Sequence, residues 1–209
     1  MMILIGQFDS PFVRRVGIAL ALYDMRHEHY PWSTFGDGAR IAAYNPLRRV
    51  PTLVLDDGTA LIESNAILDH LDEQVGEARA LFPRGGPARR EALRVAALAS
   101  GLADKAVSLV YERVLHAEPS AAWIERCRTQ INEVVRLIEA ERAARATPYW
   151  QGEAIGHADI MLACALRFLG EAHPGLVDAA TIPALTAHCA RCEALPAFVA
   201  VRQVFVPPA

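Results

Sequence analysis

The alternation of hydrophobic and polar positions divides the chain into two parts with different patterns. In the first part, apolar runs predict strands over residues 2–6 and 28–32, and an amphipathic pattern predicts a helix over 11–24. A short helix is predicted over 38–44, because the Asn45-Pro46 pair that follows is unfavourable to a helix. The order strand, helix, strand favours parallel pairing of the first two strands.

A hairpin and a third helix complete the first part. The segment "TLVLDDGTALI" predicts two short strands joined by Asp57-Gly58, a strong hairpin signal. The segment "ESNAILDHLDEQVG" predicts a helix that is capped by Ser64 and closed by Gly76. The resulting order β-α-β-α-β-β-α predicts a small α/β domain over residues 1–78.

The composition then changes, and the rest of the chain is almost entirely helical in pattern. The segment "LFPRGGPARR" contains two prolines and two glycines, and we interpret residues 79–87 as a linker. The pattern of residues 88–209 predicts a helical bundle domain. Its predicted helices are 87–115 and 120–146, paired as an antiparallel hairpin, followed by 157–170, 183–193 and 196–202. Because domain interfaces are favoured pocket positions, a ligand cleft is expected between the two parts.

Composition and charge exclude several classes of protein. Of 209 residues, 53% are hydrophobic, which excludes a disordered chain. The formal net charge of -3 and the absence of a long basic block give no sign of a nucleic-acid partner. No apolar stretch reaches the roughly 18 residues of a membrane span, and no leader pattern is recognised. A cytoplasmic protein without membrane contact is therefore expected.

The four cysteines do not form a disulfide framework. Cys189 and Cys192 make a C-x-x-C motif, which in a redox protein follows a strand and opens a helix. Here the motif lies inside a helical run, and we interpret the two residues as ordinary helix cysteines. The seven histidines show no metal-ligand spacing, so no metal site is predicted. His157 is interpreted as a surface or capping residue.

Ser10 lies between the first predicted strand and the first predicted helix. Pro11 follows it, and proline suits the first turn of a helix. Two interpretations of Ser10 stand: an ordinary N-cap, or a hydroxyl that faces a ligand.

The Val50-Pro51 pair comes just before a predicted strand, a position at which proline is tolerated. The peptide bond between them is equally compatible with the trans and the cis form. A cis bond would turn the N–H and C=O of Val50 outwards, where they could pair with an extended, peptide-like ligand.

Glu63 and Ser64 stand at the start of the third predicted helix. The N-terminus of a helix can bind a carboxylate, and a glutamate beside it can accept hydrogen bonds from an ammonium group. Together they suit the α-amino acid end of a ligand. An ordinary capped helix with an exposed glutamate is the alternative.

Three segments in this order resemble the glutathione S-transferase superfamily: "SPFVRRV", "NPLRRVPTLVLDDG" and "ESNAIL". The helical second part is similar too, so the resemblance covers essentially the whole chain. It implies a cytosolic, bacterial-type member with a serine at the start of the first helix. It also implies a thioredoxin-like domain that binds glutathione, followed by an all-helical domain that forms the pocket for an electrophile.

The resemblance implies roles for individual residues. The backbone of Val50, ahead of a cis Pro51, would pair with the cysteinyl unit of glutathione, and Arg49 would approach the glycyl carboxylate. Glu63 and Ser64 would hold the γ-glutamyl end.

Ser10 would donate a hydrogen bond to the glutathione sulfur. A hydroxyl donor at a helix N-terminus stabilises a thiolate and lowers the pKa of the thiol, so Ser10 would assist the nucleophile without being it. Asp9 is a complication, because a neighbouring negative charge opposes thiolate formation. No cysteine precedes Cys127, so mixed-disulfide chemistry is not expected.

Further residues are compared with the family pattern. Gly152 and Asp159 match its helix-capping segment, although Gly156 stands where Ser or Thr is usual. Asp104 lies where some members reach across a dimer to the γ-glutamyl amine. Tyr111 and Trp32 either line the electrophile pocket or pack in the core.

The function that the resemblance implies is a homodimeric, detoxifying glutathione transferase, with glutathione as co-substrate and a small, largely apolar electrophile. Glutathione-dependent reduction and isomerisation are alternatives within the same class. A binding or regulatory protein without turnover is a second hypothesis, and a helical scaffold with a vestigial cleft is a third.

Overall fold

Four short strands form one sheet in the order β2-β1-β3-β4. They are β1 Met2–Ile5, β2 His27–Tyr30, β3 Thr52–Val54 and β4 Ala60–Ile62 in a computed structural model that describes residues 1–208. β1 pairs in parallel with β2 and antiparallel with β3, and β3 pairs antiparallel with β4. The predicted parallel first pair and the predicted hairpin are both confirmed.

Three helices belong to this part of the chain: α1 Pro11–Leu22, α2 Gly38–Ala42 and α3 Ser64–Val75. α1 is buried on two sides. Val13 and Val16 pack in one apolar cluster with the strands and α3, whereas Ile18 packs in another cluster with residues of the helical part. The helix therefore lies between the sheet and the helical domain.

The start of α3 differs from the prediction. Glu63 is the N-cap, with φ +67°, and Ser64 is already the first helical residue. Ser64 is therefore not the cap of the helix, and its hydroxyl accepts a hydrogen bond from the Arg15 guanidinium at 3.3 Å. The predicted end is confirmed, because Gly76 closes the helix in the left-handed region at φ +75°.

Between residues 79 and 208 the second part contains five helices, with one 3₁₀ turn at Ala179–Thr181. The helices are α4 Gly86–Leu115, α5 Ala121–Ala143, α6 His157–Ala172, α7 Pro183–Glu193 and α8 Pro196–Ala200. Arg94 near the start of α4 forms an ion pair with Glu141 near the end of α5. At the other end, Glu112 of α4 accepts a hydrogen bond from the backbone N–H of Ser120, just before α5. The two helices are thus the predicted antiparallel pair.

α6 is the central helix of the second part and contacts both α4 and α1. Asp159 closes its first turn, accepting hydrogen bonds from the backbone N–H of Gly156 at 2.9 Å and of Trp150 at 2.7 Å. A Cβ atom at Gly156 would lie 2.9 Å from the carbonyl oxygen of Leu81. Glycine is therefore needed here because the segment after α3 crosses in close contact.

A buried polar cluster joins the two parts of the chain. Asp72 of α3 accepts hydrogen bonds from His157 Nε2, at 2.9 Å, and from the Tyr23 hydroxyl. It also accepts the backbone N–H of Phe82 at 3.0 Å. The interpretation of His157 as a surface residue is wrong, because the first turn of α6 is covered by α3 and by the segment that follows it.

Within residues 1–208, none of the helices combines the length and the apolar character that crossing a membrane requires.

Candidate functional site

A cleft of about 370 Å³ lies between the start of α1 and the segment 104–111 of α4. It brings together seven of the residues that the sequence singled out: Asp9, Ser10, Trp32, Arg49, Val50, Asp104 and Tyr111. Pro51, Glu63 and Ser64 do not line it. Glu63 is nevertheless connected to it, because its carboxylate lies 3.2 Å from the guanidinium of Arg49.

Ser10 is the N-cap of α1, and its side-chain oxygen accepts the backbone N–H of Val13 at 3.4 Å. Capping uses a lone pair of the oxygen and leaves the hydroxyl hydrogen available as a donor. Ser10 also lines the cleft. The two interpretations of this residue are therefore compatible: one oxygen caps the helix, while its hydrogen is free to reach a ligand.

The peptide bond between Val50 and Pro51 is cis. The loop before it is held by Asn45, a buried residue whose amide nitrogen donates to the carbonyl of Arg49 at 2.9 Å and to the Thr52 hydroxyl at 3.2 Å. Sequence reasoning treated Asn45 only as part of a helix-ending pair. Its role depends on contacts within a loop that no periodic pattern describes.

Gly6 shows how closely this loop approaches α1. Its φ is +128°, and an added Cβ would lie 2.5 Å from Val13 and 2.8 Å from the Cβ of Val50. Glycine is suited both to this conformation and to the close contact. The position of Val50 at the cleft thus depends on Gly6, the residue directly after β1, having no side chain.

The start of α3 contains an exposed acid beside a buried hydroxyl. Glu63 adopts a positive φ, a conformation that costs a non-glycine residue about 1–3 kcal/mol. Ser64 is 5% exposed. Beneath it lies Arg15, which is fully buried and donates from Nη1 to the Ser64 hydroxyl and to the Asn65 amide oxygen. Sequence reasoning read Arg15 only as half of a short basic pair.

Asp9 lines the cleft beside Ser10, so the complication foreseen from the sequence is present. Burial raises the pKa of the Asp9 carboxyl, and hydrogen bonds from the backbone N–H groups of Ser10 and Val206 oppose that rise. The carboxyl group thus faces the C-terminal segment as well as the start of α1.

The C-terminal segment forms a wall of the cleft that the sequence did not predict. Phe205, Val206 and Pro208 line the cavity. The backbone N–H of Phe205 donates to Glu171 at 2.8 Å, and its ring packs edge to face against Phe168. This segment has no periodic pattern, so only its packing reveals its role.

Trp32, Tyr111 and Asp104 occupy three different surroundings at the cleft. Trp32 packs against Tyr30 and Tyr44 as well as lining the cleft. Tyr111 is exposed and meets Phe35 edge to face across the mouth of the cleft. Asp104 has a side chain that is 54% exposed, and its carboxylate lies 3.4 Å from the ammonium of Lys105. Core packing accounts for Trp32 in part and does not account for Tyr111.

Among the side chains of residues 1–208, no three His, Cys, Asp or Glu come together as a group that could hold a metal ion.

Comparison with known proteins assigns the class. The glutathione S-transferase N-terminal domain model matches residues 4–79, and the C-terminal domain model matches residues 121–191. A glutathione transferase family member of Pseudomonas fluorescens Pf-5, solved with bound glutathione, is 32% identical, with a TM-score of 0.83 and 100% of each chain covered. The chain belongs to the glutathione S-transferase superfamily.

Two further relatives illustrate the range of similarity. A glutathione S-transferase of Methylobacterium radiotolerans, solved with glutathione sulfonate, is 27% identical with a TM-score of 0.89, covering 100% of this chain and 99% of that one. Maleylacetoacetate isomerase of Pseudomonas aeruginosa is 28% identical over 195 residues, which are 91% of this chain and 82% of the relative. The thioredoxin-like first domain and the helical second domain expected from the sequence are confirmed as the fold class.

Proposed function

We propose that this protein binds glutathione in the cleft at the start of α1 and transfers its thiolate to a small, largely apolar electrophile. The observation that carries the proposal is the cleft itself, which is lined by Ser10 and Val50 together with residues of α4. The bound glutathione in the relative from Pseudomonas fluorescens supports the choice of co-substrate.

Glutathione would be held by groups at three points. The N–H and C=O of Val50, beside the cis bond, pair with its cysteinyl unit. Glu63 accepts hydrogen bonds from the γ-glutamyl ammonium, and Ser64 at the N-terminus of α3 binds the carboxylate. Arg49 is exposed and forms an ion pair with Glu63, which it would exchange for the glycyl carboxylate.

Ser10 assists the chemical step. Its hydroxyl donates a hydrogen bond to the sulfur, and the N-terminus of α1 contributes a partial positive charge. Both favour the thiolate, so the thiol proton leaves to solvent at a lower pH. The thiolate sulfur then forms a bond to the electrophilic carbon, and the electron pair displaced there leaves with the departing group or is protonated by water.

The electrophile site is apolar and aromatic in character. Phe12 of α1, Val107 and Val110 of α4, Phe168 of α6 and Phe205 of the C-terminal segment line the cleft. Such walls bind an apolar molecule by removing its surface from water. Tyr111 and Trp32 complete the site. We also propose a cytoplasmic homodimer, as the family resemblance implies. In it, Asp104 of one subunit reaches the γ-glutamyl amine of the glutathione bound to the other subunit.

Glutathione-dependent isomerisation is the second candidate, favoured by the similarity to a maleylacetoacetate isomerase. The two reactions differ in their products. Conjugation consumes glutathione in proportion to product, whereas isomerisation returns it. Titration of free thiol during turnover therefore separates them.

The proposal is tested by isothermal titration of the purified protein with reduced glutathione. Saturable binding is expected, with a loss of affinity of at least about tenfold in Glu63→Ala, since a charged hydrogen bond is worth about 1.5–3 kcal/mol. Glu77→Ala, which removes an exposed carboxylate far from the cleft, is the control. No binding at millimolar glutathione, by titration and by thermal shift, would reject the proposal and favour the scaffold hypothesis. Binding without turnover across an electrophile panel would favour a binding or regulatory protein.

A further inference from the structure

Arg14 and Arg15 are neighbours in α1, and both are buried, yet only one has an anionic partner. Arg14 forms a two-point ion pair with Glu193. Arg15 is 0% exposed, and no carboxylate among residues 1–208 lies within ion-pair distance of it. Burial lowers the pKa of Arg15 to about 10, so its guanidinium remains charged at neutral pH. Arg15 is therefore a fully buried positive charge that has no counterion among residues 1–208.

The hydrogen bonds of Arg15 all go to the start of α3. Nη1 donates to the amide oxygen of Asn65 at 2.9 Å and to the hydroxyl oxygen of Ser64 at 3.3 Å. Nε and Nη2 are buried and have no hydrogen-bond partner among residues 1–208. Unpaired buried donors are rare in proteins, so Nη1 is the nitrogen through which Arg15 acts on its neighbours.

These contacts orient Ser64. Because the Ser64 oxygen accepts from Arg15, its hydroxyl hydrogen is directed elsewhere and can donate to an anion outside. The free N–H groups of the first turn of α3 lie at the same place and carry partial positive charge. The buried guanidinium adds a full charge beneath them. The Glu63 carboxylate at the same helix start is exposed and paired with Arg49. The buried guanidinium therefore keeps its charge unpaired, and the site above it is suited to a carboxylate.

We propose that Arg15 is a positioning residue for the γ-glutamyl carboxylate of glutathione, acting through Ser64 and Asn65 from beneath the N-terminus of α3. This inference rests on the proposed function. A buried charge is costly unless it is paired, and a bound carboxylate would supply the missing counterion through one layer of hydrogen bonds. The carboxylate then becomes the part of glutathione on which affinity depends most strongly.

The test compares two ligands in two proteins. Glutathione is titrated beside γ-aminobutyryl-cysteinylglycine, which keeps the amine and lacks only the γ-glutamyl carboxylate. In the wild type, glutathione is expected to bind at least about 30-fold more tightly. In Arg15→Met this preference should fall to within about threefold, with the affinity for the analogue unchanged. A merely structural role would weaken both ligands equally, and that result would overturn the inference.

Control variants separate the role of Arg15 from a general effect on folding. Arg14→Met removes the neighbouring buried arginine and should leave the preference for glutathione intact, even where it lowers the melting temperature. Arg15→Lys keeps the positive charge but lacks the planar guanidinium group, and it should recover only part of the preference for glutathione over the analogue. If Arg15→Met does not fold, Asn65→Ala takes its place, since Asn65 is exposed at the surface. A reduced preference in Asn65→Ala supports the inference, and an unchanged preference overturns it.

The inference and the proposed function fail in distinguishable ways. If the wild type does not bind glutathione, the proposed function is rejected and the inference with it. If the wild type binds glutathione with the expected preference, and Arg15→Met keeps that preference, only the role of Arg15 is rejected.

Discussion

Arg14 of α1 and Glu193 at the end of α7 form a two-point ion pair across the boundary between the two domains. The guanidinium nitrogens Nη1 and Nη2 lie 2.5 Å and 2.8 Å from the two carboxylate oxygens. Nη2 also donates to the carbonyl of Phe198 at 3.2 Å. Burial alone would raise the pKa of the Glu193 carboxyl, but the hydrogen bond and charge of Arg14, with Arg167 beside it, hold that pKa below its ordinary value. The pair thus fixes α1, and with it the start of the cleft, against the helical domain.

Replacing Glu193 by Gln is expected to lower the free energy of unfolding by about 3 kcal/mol at pH 7, because Arg14 would remain buried without its partner. The pKa of Glu193 is lower in the folded state than in the unfolded state. Its contribution is therefore complete above pH ~4.5 and is lost as the pH falls below that value. Urea denaturation of both proteins at pH 7 and at pH 4 should show that the difference in their free energies of unfolding is smaller at the lower pH.

Glu77→Gln, which removes the charge of an exposed pair with Arg84, is the control and should change the free energy of unfolding little. A difference independent of pH would show that the carboxylate charge is not what stabilises the fold.

Replacing Ser10 by Ala is expected to raise the pKa of the bound glutathione thiol by about 1–2 units, because a hydrogen bond to an ion is worth about 1.5–3 kcal/mol. At neutral pH the rate should fall by about 10–100-fold. The pH dependence of kcat/KM measures both effects, and ultraviolet absorbance of the bound thiolate measures the pKa directly. The loss of the helix cap also lowers stability by about 1 kcal/mol, so thermal unfolding is recorded alongside.

Ser10→Thr is the matched control for this change, since it keeps a hydroxyl at the N-cap. It should retain the thiol pKa of the wild type. A Ser10→Ala protein with an unshifted pH profile would assign thiolate stabilisation to the helix N-terminus alone.

Replacing Asp9 by Asn is expected to act in the opposite direction. The Asp9 carboxyl lines the cleft beside Ser10, and any negative charge on it disfavours the thiolate. Removing the charge should lower the pKa of the bound thiol by less than about one unit, since the group is partly accessible to solvent. The same absorbance titration measures the shift. A rise in the thiol pKa would mean that Asp9 supports the site through its contact with the backbone of Val206.

The cysteines are expected to be unreactive in the folded protein. Burial raises the pKa of Cys164 and of Cys189 to about 12, and it raises the pKa of Cys192 as well. At pH 8 a thiol of that pKa is ionised to only about one part in ten thousand, so alkylation is slow. Iodoacetamide labelling followed by mass spectrometry should proceed at least about 100-fold faster in urea than in buffer. Rapid labelling of Cys189 and Cys192 in buffer would instead favour a redox role for the C-x-x-C motif.

The sequence by itself determined the order of the elements and most of the local chemistry. Apolar periodicity and turn residues are local properties, so they predicted the strands, the hairpin at Asp57-Gly58 and the end of α3 at Gly76. Ser10 and Val50 were found for the same reason, because a cap and an X-Pro pair are visible in neighbouring residues. The capping pair of Gly156 and Asp159 was visible in the same way.

Only the tertiary structure decided what lies beneath and across the site. Arg15 looked like one half of a basic pair, and His157 like a surface residue, because burial depends on elements that pack from distant parts of the chain. The wall formed by Phe205 and Val206 follows from hydrogen bonds to Glu171 and Asp9, which lie far from it in sequence. Ser64 is the first helical residue and not the cap, and its hydroxyl accepts from Arg15, which lies 49 residues away along the chain. Such contacts are set by how α1, α3 and α6 fit together, and no local pattern records that fit.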